Sequence, residues 1–366
     1  MSRIVVLLEP RENRRLLVDW LSLQHDIVLA DSPASVEGTF DLGIVDGPSL
    51  ERYGRWIHTM KQAVQPLFLP FLLITPRHGV ATATGHAWTL VDDLIVTPVE
   101  KLELRARVET LLRSRDLSLA NASLRQRLEL ELARAHEMQA NLLPDEAPLL
   151  RDFDLAARCV PAREVSGDFF DWQLIDSAAV LSVGDVMGKG VPAALLAATA
   201  RAVLRAVARG SSPGETLDVL RDTLAEDLER ACSFVTLFHA RLVVEPREVH
   251  YVDAGHGHAL VRRASGTIER LACGGRPIGF PAAGAYRESA LRLDAGDVLA
   301  VYSDGLIEGR DGPPEQLFEG IEVAGAASSI VDQLIERAPA RGMMDDVTAL
   351  VLKCDAPSPA SAASEQ

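Results

Sequence analysis

Four times in the second half of this 366-residue chain an aspartate stands at the end of an apolar run, beside or close to glycine: SGDFFD (166–171), VGDVMGKG (183–190), YSDGLIEG (302–309) and DDVTALVL (345–352). One Asp-Gly at a strand end is ordinarily only a turn. Four within one domain ask for a fold that brings several strand ends together. Asp168, Asp185, Asp304 and Asp345 would then share one place, and that much negative charge is unfavourable unless cations neutralise it. Oxygen ligands without His or Cys select Mg²⁺ or Mn²⁺ over zinc. Two such ions about 3.5 to 4 Å apart lower the pKa of a shared water and clamp a phosphoryl group for in-line attack. The glycines let backbone carbonyls approach and join the coordination.

The rest of the composition fits an acidic protein that holds divalent cations. The formal charge of −15 argues against nucleic-acid binding, because the phosphate backbone would be repelled. No run approaches the roughly 20 apolar residues of a membrane span, and the start, MSRIVVLLEPRENRR, has no cleavage pattern, so a cytoplasmic location is expected. Cys159, Cys232, Cys273 and Cys354 lie far apart and form no CxxC pair, which excludes a disulfide framework and a zinc site as expectations.

Along the chain, apolar runs at 4–8, 41–45, 71–75 and 94–96 read as buried strands alternating with helical patterns, including an amphipathic stretch at 99–112. This predicts an α/β domain with a parallel sheet over residues 1–112. Residues 113–143 lack Pro and Gly and predict a helical linker that Pro144 closes, so that the linker segment is 113–147. Stepping by four and three from Leu117 gives Asn121, Leu124, Leu128, Glu131, Ala135, Met138 and Leu142, either a coiled-coil seam or an amphipathic face lying on one domain of the same chain. Residues 148–354 read as an α+β unit: strands near 155–160 and 178–184, helices near 192–208 and 213–230, then strands near 233–244, 248–254, 258–264, 267–271, 289–293, 297–303 and 347–353. The tail 355–366 is small and polar and reads as disordered.

Taken together, HEMQANLLP (136–144), PAREVSGDFFD (161–171), GDVMGKGVPAALL (184–196), YVDAGHGHALV (251–261), GGRPIGF (274–280), YSDGLIEG and DDVTALVL make the chain from about 136 to 353 resemble the bacterial SpoIIE-like branch of the PPM family of metal-dependent protein phosphatases. The resemblance implies a β-sandwich flanked by helices with a dinuclear Mg²⁺ or Mn²⁺ centre at one end. It implies hydrolysis of phosphoserine or phosphothreonine without a covalent phosphoenzyme. Carried over residue by residue, Asp185 is the carboxylate bridging both ions and Val186 supplies a backbone carbonyl. Asp304 and Asp345 complete one ion's shell, and Asp168 acts through a water or on a third, weaker ion. Asp346 stands behind the ligands, and Asp171 is a structural partner. No motif fixes a cation for the substrate phosphate: Arg163 and Lys189 lie beside acidic motifs but read as surface pairs. His256 and His258 read as part of a hairpin turn.

The amino-terminal domain resembles the receiver domains of response regulators, a flavodoxin-like fold. Asp46 falls at the phosphoacceptor position and Thr75 at the switch hydroxyl. Two departures stand out: Glu9, Pro10 and Arg11 replace the acidic pair after the first strand, and Thr97 replaces the lysine before Pro98. Without that lysine the phosphoryl oxygens lose their main cationic partner, so a degenerate receiver used for docking or dimerisation is expected. The combined reading is a cytoplasmic phosphoprotein phosphatase, acting on a protein of the anti-sigma-factor antagonist type. It would be controlled through the linker, would form a homodimer, and could meet a histidine kinase or other upstream partner at the receiver-like domain. The rivals are a non-catalytic adaptor, in which one of Asp185, Asp304 or Asp345 should have been lost, and a small-molecule phosphatase.

Overall fold

The computed structural model describes residues 1–356 except 10, 31, 78–88, 273, 281–283, 310–311 and 339–344. Cys273 and the expected disordered tail beyond residue 356 lie outside the described residues. The chain divides into two compact units, Met1–Leu130 and Glu131–Gln366.

The first unit is built on β1 (Arg3–Leu7), β2 (Asp26–Leu29), β3 (Leu42–Asp46), β4 (Phe71–Pro76) and β5 (Asp93–Thr97), with α1 (Arg11–Leu21) and α2 (Gly47–Ala63) between them. The strands are parallel, in the order β2-β1-β3-β4-β5. Alternation along each strand feeds two cores. Ile4, Val6, Ile44 and Leu72 pack with Leu104 and Val108 on one face. Val5, Leu7, Val45 and Leu73 pack with Leu50 and Ile57 of α2 on the other.

A 40-residue helix, α3, runs from Lys101 to Ala140 without a break at residue 112. Its first turns are buried through Leu104, Val108, Leu111 and Leu112. Arg115 donates to the Phe68 carbonyl at 2.8 Å, and Ser118 accepts from the Phe68 amide at 2.8 Å. The seam residues Leu117, Leu124, Leu128 and Met138, and Leu142 just past the helix, are exposed.

The second unit is a sandwich of two five-stranded antiparallel sheets. One holds β7 (Asp168–Ile175), β8 (Ala178–Val186), β9 (Val235–Val243), β10 (Glu248–Ala254) and β13 (Ser289–Arg292). The other holds β6 (Phe153–Val160), β11 (Ala259–Arg262), β12 (Ile268–Arg270), β14 (Val298–Tyr302) and β15 (Val347–Cys354). Phe170, Leu181 and Phe238 of the first sheet meet Leu155, Val261, Leu299 and Leu350 of the second in one core. The outer face of the first sheet is covered by α4 (Val191–Val207) and α5 (Pro213–Ala231), through Ala197, Leu204, Leu217 and Leu220. That of the second is covered by α6 (Ala327–Ile335), through Ile330, Val331 and Leu334. Ser212 and Glu215 form a reciprocal capping box at the start of α5.

β7 was not read as a strand from the sequence. Its residues DFFDWQLI are almost all buried, including both aspartates, so it lacks the alternation that marks a half-exposed strand.

His239 on β9 is buried, its Nδ1 2.9 Å from the Ser182 hydroxyl, and burial pushes its pKa down to about 4. The unfolded chain takes up this proton near pH 6.5, before the folded one can. Stability contributed by neutral His239 is therefore present above about pH 6.5 and lost as the pH falls toward 4. Urea unfolding of the parent should lose about 2 kcal/mol between pH 7 and pH 5 from this group, and His239→Gln should flatten that slope.

Candidate metal centre

The sandwich gathers the four sequence-derived aspartates at one end. Asp168 opens β7, Asp185 lies at the end of β8, and the two are cross-strand partners in the antiparallel register. In the other sheet β14 ends at Tyr302 and β15 begins at Val347, the two paired from Tyr302↔Ala349 onward. Asp304 therefore follows one strand, and Asp345 and Asp346 precede its neighbour.

The electrostatics register this convergence. Asp168 is 3 % exposed, and burial, followed by the charge of Asp185, holds its carboxyl well above the ordinary range. Its Oδ2 has no hydrogen-bond partner. Burial and then the charges of Asp304 and Asp345 push Asp185 up to about 7. Such shifts mark a place where negative charge has been concentrated. The carboxylates are nonetheless not drawn into a closed cage. Asp304 is exposed, and among the described residues no group of three or more His, Cys, Asp or Glu side chains could hold an ion as placed. The Lys189 ammonium lies 2.7 Å from Asp345 Oδ2, so a cation from the chain itself already partners one of the four.

Around them the backbone is fixed closely. Asp346 accepts from the amides of Ala162 (2.8 Å) and Gly167 (2.7 Å), which occupies both its oxygens. The Ser303 hydroxyl donates to the Asp346 carbonyl and accepts from the Thr348 amide, tying β14 to the loop before β15. Gly305 permits this approach: a Cβ there would stand 2.2 Å from the Asp346 carbonyl oxygen. Val186 is buried, its amide donates to the Gly167 carbonyl at 3.3 Å, and a Cβ on Gly167 would lie 3.0 Å from the Val186 carbonyl oxygen. Asp171 is set apart from the cluster: it is buried and paired with Arg201 (2.9 Å) and Arg205 (2.7 Å) of α4.

Two contacts were missed in the sequence. Gln139, near the end of α3, accepts from the Ser166 amide at 2.9 Å and donates to the Ser166 carbonyl at 2.7 Å. The Ser166 hydroxyl in turn accepts from the Asp168 amide at 3.0 Å, so the helix end grips the loop that sets Asp168. The second is the partner of Lys189: it forms the surface pair expected of it, and the sequence did not say with which acid. Arg163 is exposed. His256 and His258 lie in the turn between β10 and β11, with Gly255 and Gly257 at positive φ. Their rings are 5.7 Å apart, and burial pushes His256 down to about 3, so it is neutral near pH 7.

Residues 176–355 match the family model of stage II sporulation protein E, SpoIIE. That segment is a SpoIIE-family domain. The chain is 26% identical over 189 residues to the phosphoserine phosphatase RsbU of Bacillus subtilis strain 168, covering 51% of this chain and 56% of RsbU. It is 29% identical over 217 residues to the protein IcfG of Synechocystis sp., covering 52% of this chain and 34% of IcfG. It thus spans about half of RsbU and a third of IcfG. The solved PP2C domain of SiaA from Pseudomonas aeruginosa superposes with a TM-score of 0.55 at 21% identity, covering 64% of this chain and 100% of that domain. The second unit therefore has the PP2C fold, and the SpoIIE-family segment holds Asp185, Asp304 and Asp345, whereas Asp168 precedes it.

Gly305→Ala should be costly beyond its size, because the Asp346 carbonyl cannot withdraw without breaking the Ser303 bonds. We expect a loss of roughly 2 to 4 kcal/mol in urea unfolding. A variant as stable as the parent would contradict the close approach.

Proposed function

We propose that the protein is a metal-dependent phosphatase acting on phosphoserine or phosphothreonine in a protein. The observation that carries this reading is the cross-strand pair of buried Asp168, with its unpartnered oxygen, and half-buried Asp185, the latter within the SpoIIE-family segment. The donor set, carboxylates and a carbonyl, fits Mg²⁺ or Mn²⁺. Asp185, the Val186 carbonyl and the carboxylates of Asp304 and Asp345 would hold the two ions, and Asp168 would act through a water or on a third ion. When bound, the ions supply Lewis-acid activation of water and neutralise phosphate charge. Asp346, with both oxygens on backbone amides, holds the Gly167 and Ala162 loop in place. Asp171 anchors α4 through Arg201 and Arg205. Lys189, already directed into the cluster, is the side chain placed to meet a substrate phosphate oxygen.

The similarity to RsbU supports a phosphoserine substrate, and the resemblance to the SpoIIE-like branch favours a small anti-sigma-factor antagonist. The strand order β2-β1-β3-β4-β5 supports a flavodoxin-like, receiver-type first domain. Asp46 caps α2, and its two oxygens accept from the amides of Ser49 (2.9 Å) and Glu9 (2.9 Å). Together with Thr97 in place of lysine, this supports a degenerate receiver that docks a partner rather than a phosphoacceptor. The exposed leucines along α3 support a coiled-coil homodimer over a helix packed on its own domain. No described helix is long and apolar enough to cross a membrane, in keeping with a cytoplasmic enzyme. The adaptor alternative is disfavoured by the presence of all three of Asp185, Asp304 and Asp345.

Phosphate release from a phosphoserine protein should require Mn²⁺ or Mg²⁺ and vanish in excess chelator, and Asp185→Asn should lower turnover by at least about 100-fold with the fold intact. Equal release with metal and with chelator would reject the metal assignment, and turnover of a soluble phosphate ester alone would favour the small-molecule phosphatase. Regulation is tested by inserting residues near Arg127. Four residues shift the helix phase by about 40° and break a heptad seam, whereas seven preserve it. The four-residue insertion should alter activity far more than the seven-residue one. Identical behaviour of both, or a monomer at all concentrations, would make α3 a passive spacer.

A further inference from the structure

We propose that the amino-terminal domain binds a small phosphate ester in a cleft at the carboxyl edge of its parallel sheet, with Arg14 and Arg52 as the anion-holding groups. The cleft has a volume of about 470 Å³, and Glu9, Arg14, Ala30, Ser49, Arg52 and Tyr53 are in its lining. That volume falls in the range of small-molecule sites and suits a molecule of mononucleotide size.

Its position follows from the chain path. After β1 the chain crosses to β2 on one side, then returns to β3 on the other, so the connections diverge between β1 and β3. In open parallel sheets, ligands bind in the crevice outside the carboxyl ends of the strands at this point of divergence. Glu9 follows β1, Ala30 follows β2, and Ser49, Arg52 and Tyr53 lie in the first turns of α2, directly after β3.

The charge at this crevice suits an anion. A receiver would hold a cation here with two acids and a free aspartate. In this chain Asp46 is not in the lining, and its oxygens are taken up by the Glu9 and Ser49 amides. The described lining carries two guanidiniums against one carboxylate, Glu9. Glu9 lies 3.5 Å from Arg52 in an exposed pair, a contact weak enough for an entering phosphate to displace. The Arg52 guanidinium also lies 6.0 Å from the Tyr53 ring centroid. A planar guanidinium fork recognises phosphate oxygens in pairs, which an ammonium would not.

The test uses the full chain in excess chelator, so that cations at the carboxy-terminal aspartates contribute no phosphate binding. AMP, inorganic phosphate and adenosine are titrated by calorimetry. AMP should bind saturably, inorganic phosphate more weakly, and adenosine not at all. Arg14→Ala and Arg52→Ala should each weaken AMP at least about tenfold, and Arg52→Lys should recover only part of the loss. Asp185→Asn should leave AMP binding unchanged. The proposal is overturned if neither phosphate compound saturates up to about 10 mM, or if adenosine binds as well as AMP. Full binding by both alanine variants, or loss of binding in Asp185→Asn, would overturn it equally. Arg52 is exposed and Arg14 half-buried, and thermal unfolding of each variant separates lost binding from lost fold.

Discussion

Asp168 and Asp185 face one another across a β-ladder at the rim of an apolar core; burial and then the charge of Asp185 raise the pKa of Asp168, and burial and then the charges of Asp304 and Asp345 raise that of Asp185. A chain can hold such a pair only where the surrounding framework is stable enough to offset the cost of crowding negative charge. The sandwich supplies that stability. Phe170 and Leu181, two and four residues from the pair along β7 and β8, are fully within the inter-sheet core, and each side chain of this size contributes on the order of 2 kcal/mol by its burial. The core and the carboxylates thus share the same strands, with packing at one end setting the geometry of unfavourable charge at the other.

The loops that complete the cluster are held by hydrogen bonds more than by packing. Asp346 is satisfied by two amides, Ser303 joins adjacent strands, and Gln139 fastens the end of α3 to the loop before Asp168. The aspartates that support the site are saturated with partners, while Asp168, within it, keeps an unpartnered oxygen. The same distinction separates the two domains. Asp46, at a strand end that a receiver would use for chemistry, is as fully bonded as Asp346. The Gln139 clamp thus connects the end of α3 to Asp168 through Ser166, whose hydroxyl accepts from the Asp168 amide.

Much of this was legible in the sequence, for a physical reason. Aspartates at the ends of apolar strands beside glycine form a local pattern, and Asp168, Asp185, Asp304 and Asp345 could be singled out without knowing which strands pair. Four strands of the parallel first sheet were equally readable from their apolar runs, whereas the edge strand β2, short and half-exposed, was not. The contacts that could not be read are those whose partners are far apart in the chain: Lys189 with Asp345, Asp171 with Arg201 and Arg205, and Gln139 with Ser166. Gln139 stood inside the HEMQANLLP segment that supported the family resemblance, yet nothing in that segment says what an amide side chain grips 27 residues later. β7 escaped for the opposite reason, since burial of both faces removed the alternation that would have revealed it. The continuity of α3 through residue 112 was likewise hidden, because a change from a buried to an exposed face looks in sequence like a domain boundary.

The account stands on the claim that this charge cluster exists to hold divalent cations. Crystals of the full chain grown with Mn²⁺, with diffraction recorded at wavelengths on either side of the manganese absorption edge, test it most directly. The account predicts two anomalous peaks that share Asp185 as a common ligand, with Asp304 and Asp345 around them and Lys189 released from Asp345. Saturating Mn²⁺ with no peak at Asp185, or peaks only at sites away from the four aspartates, would contradict it.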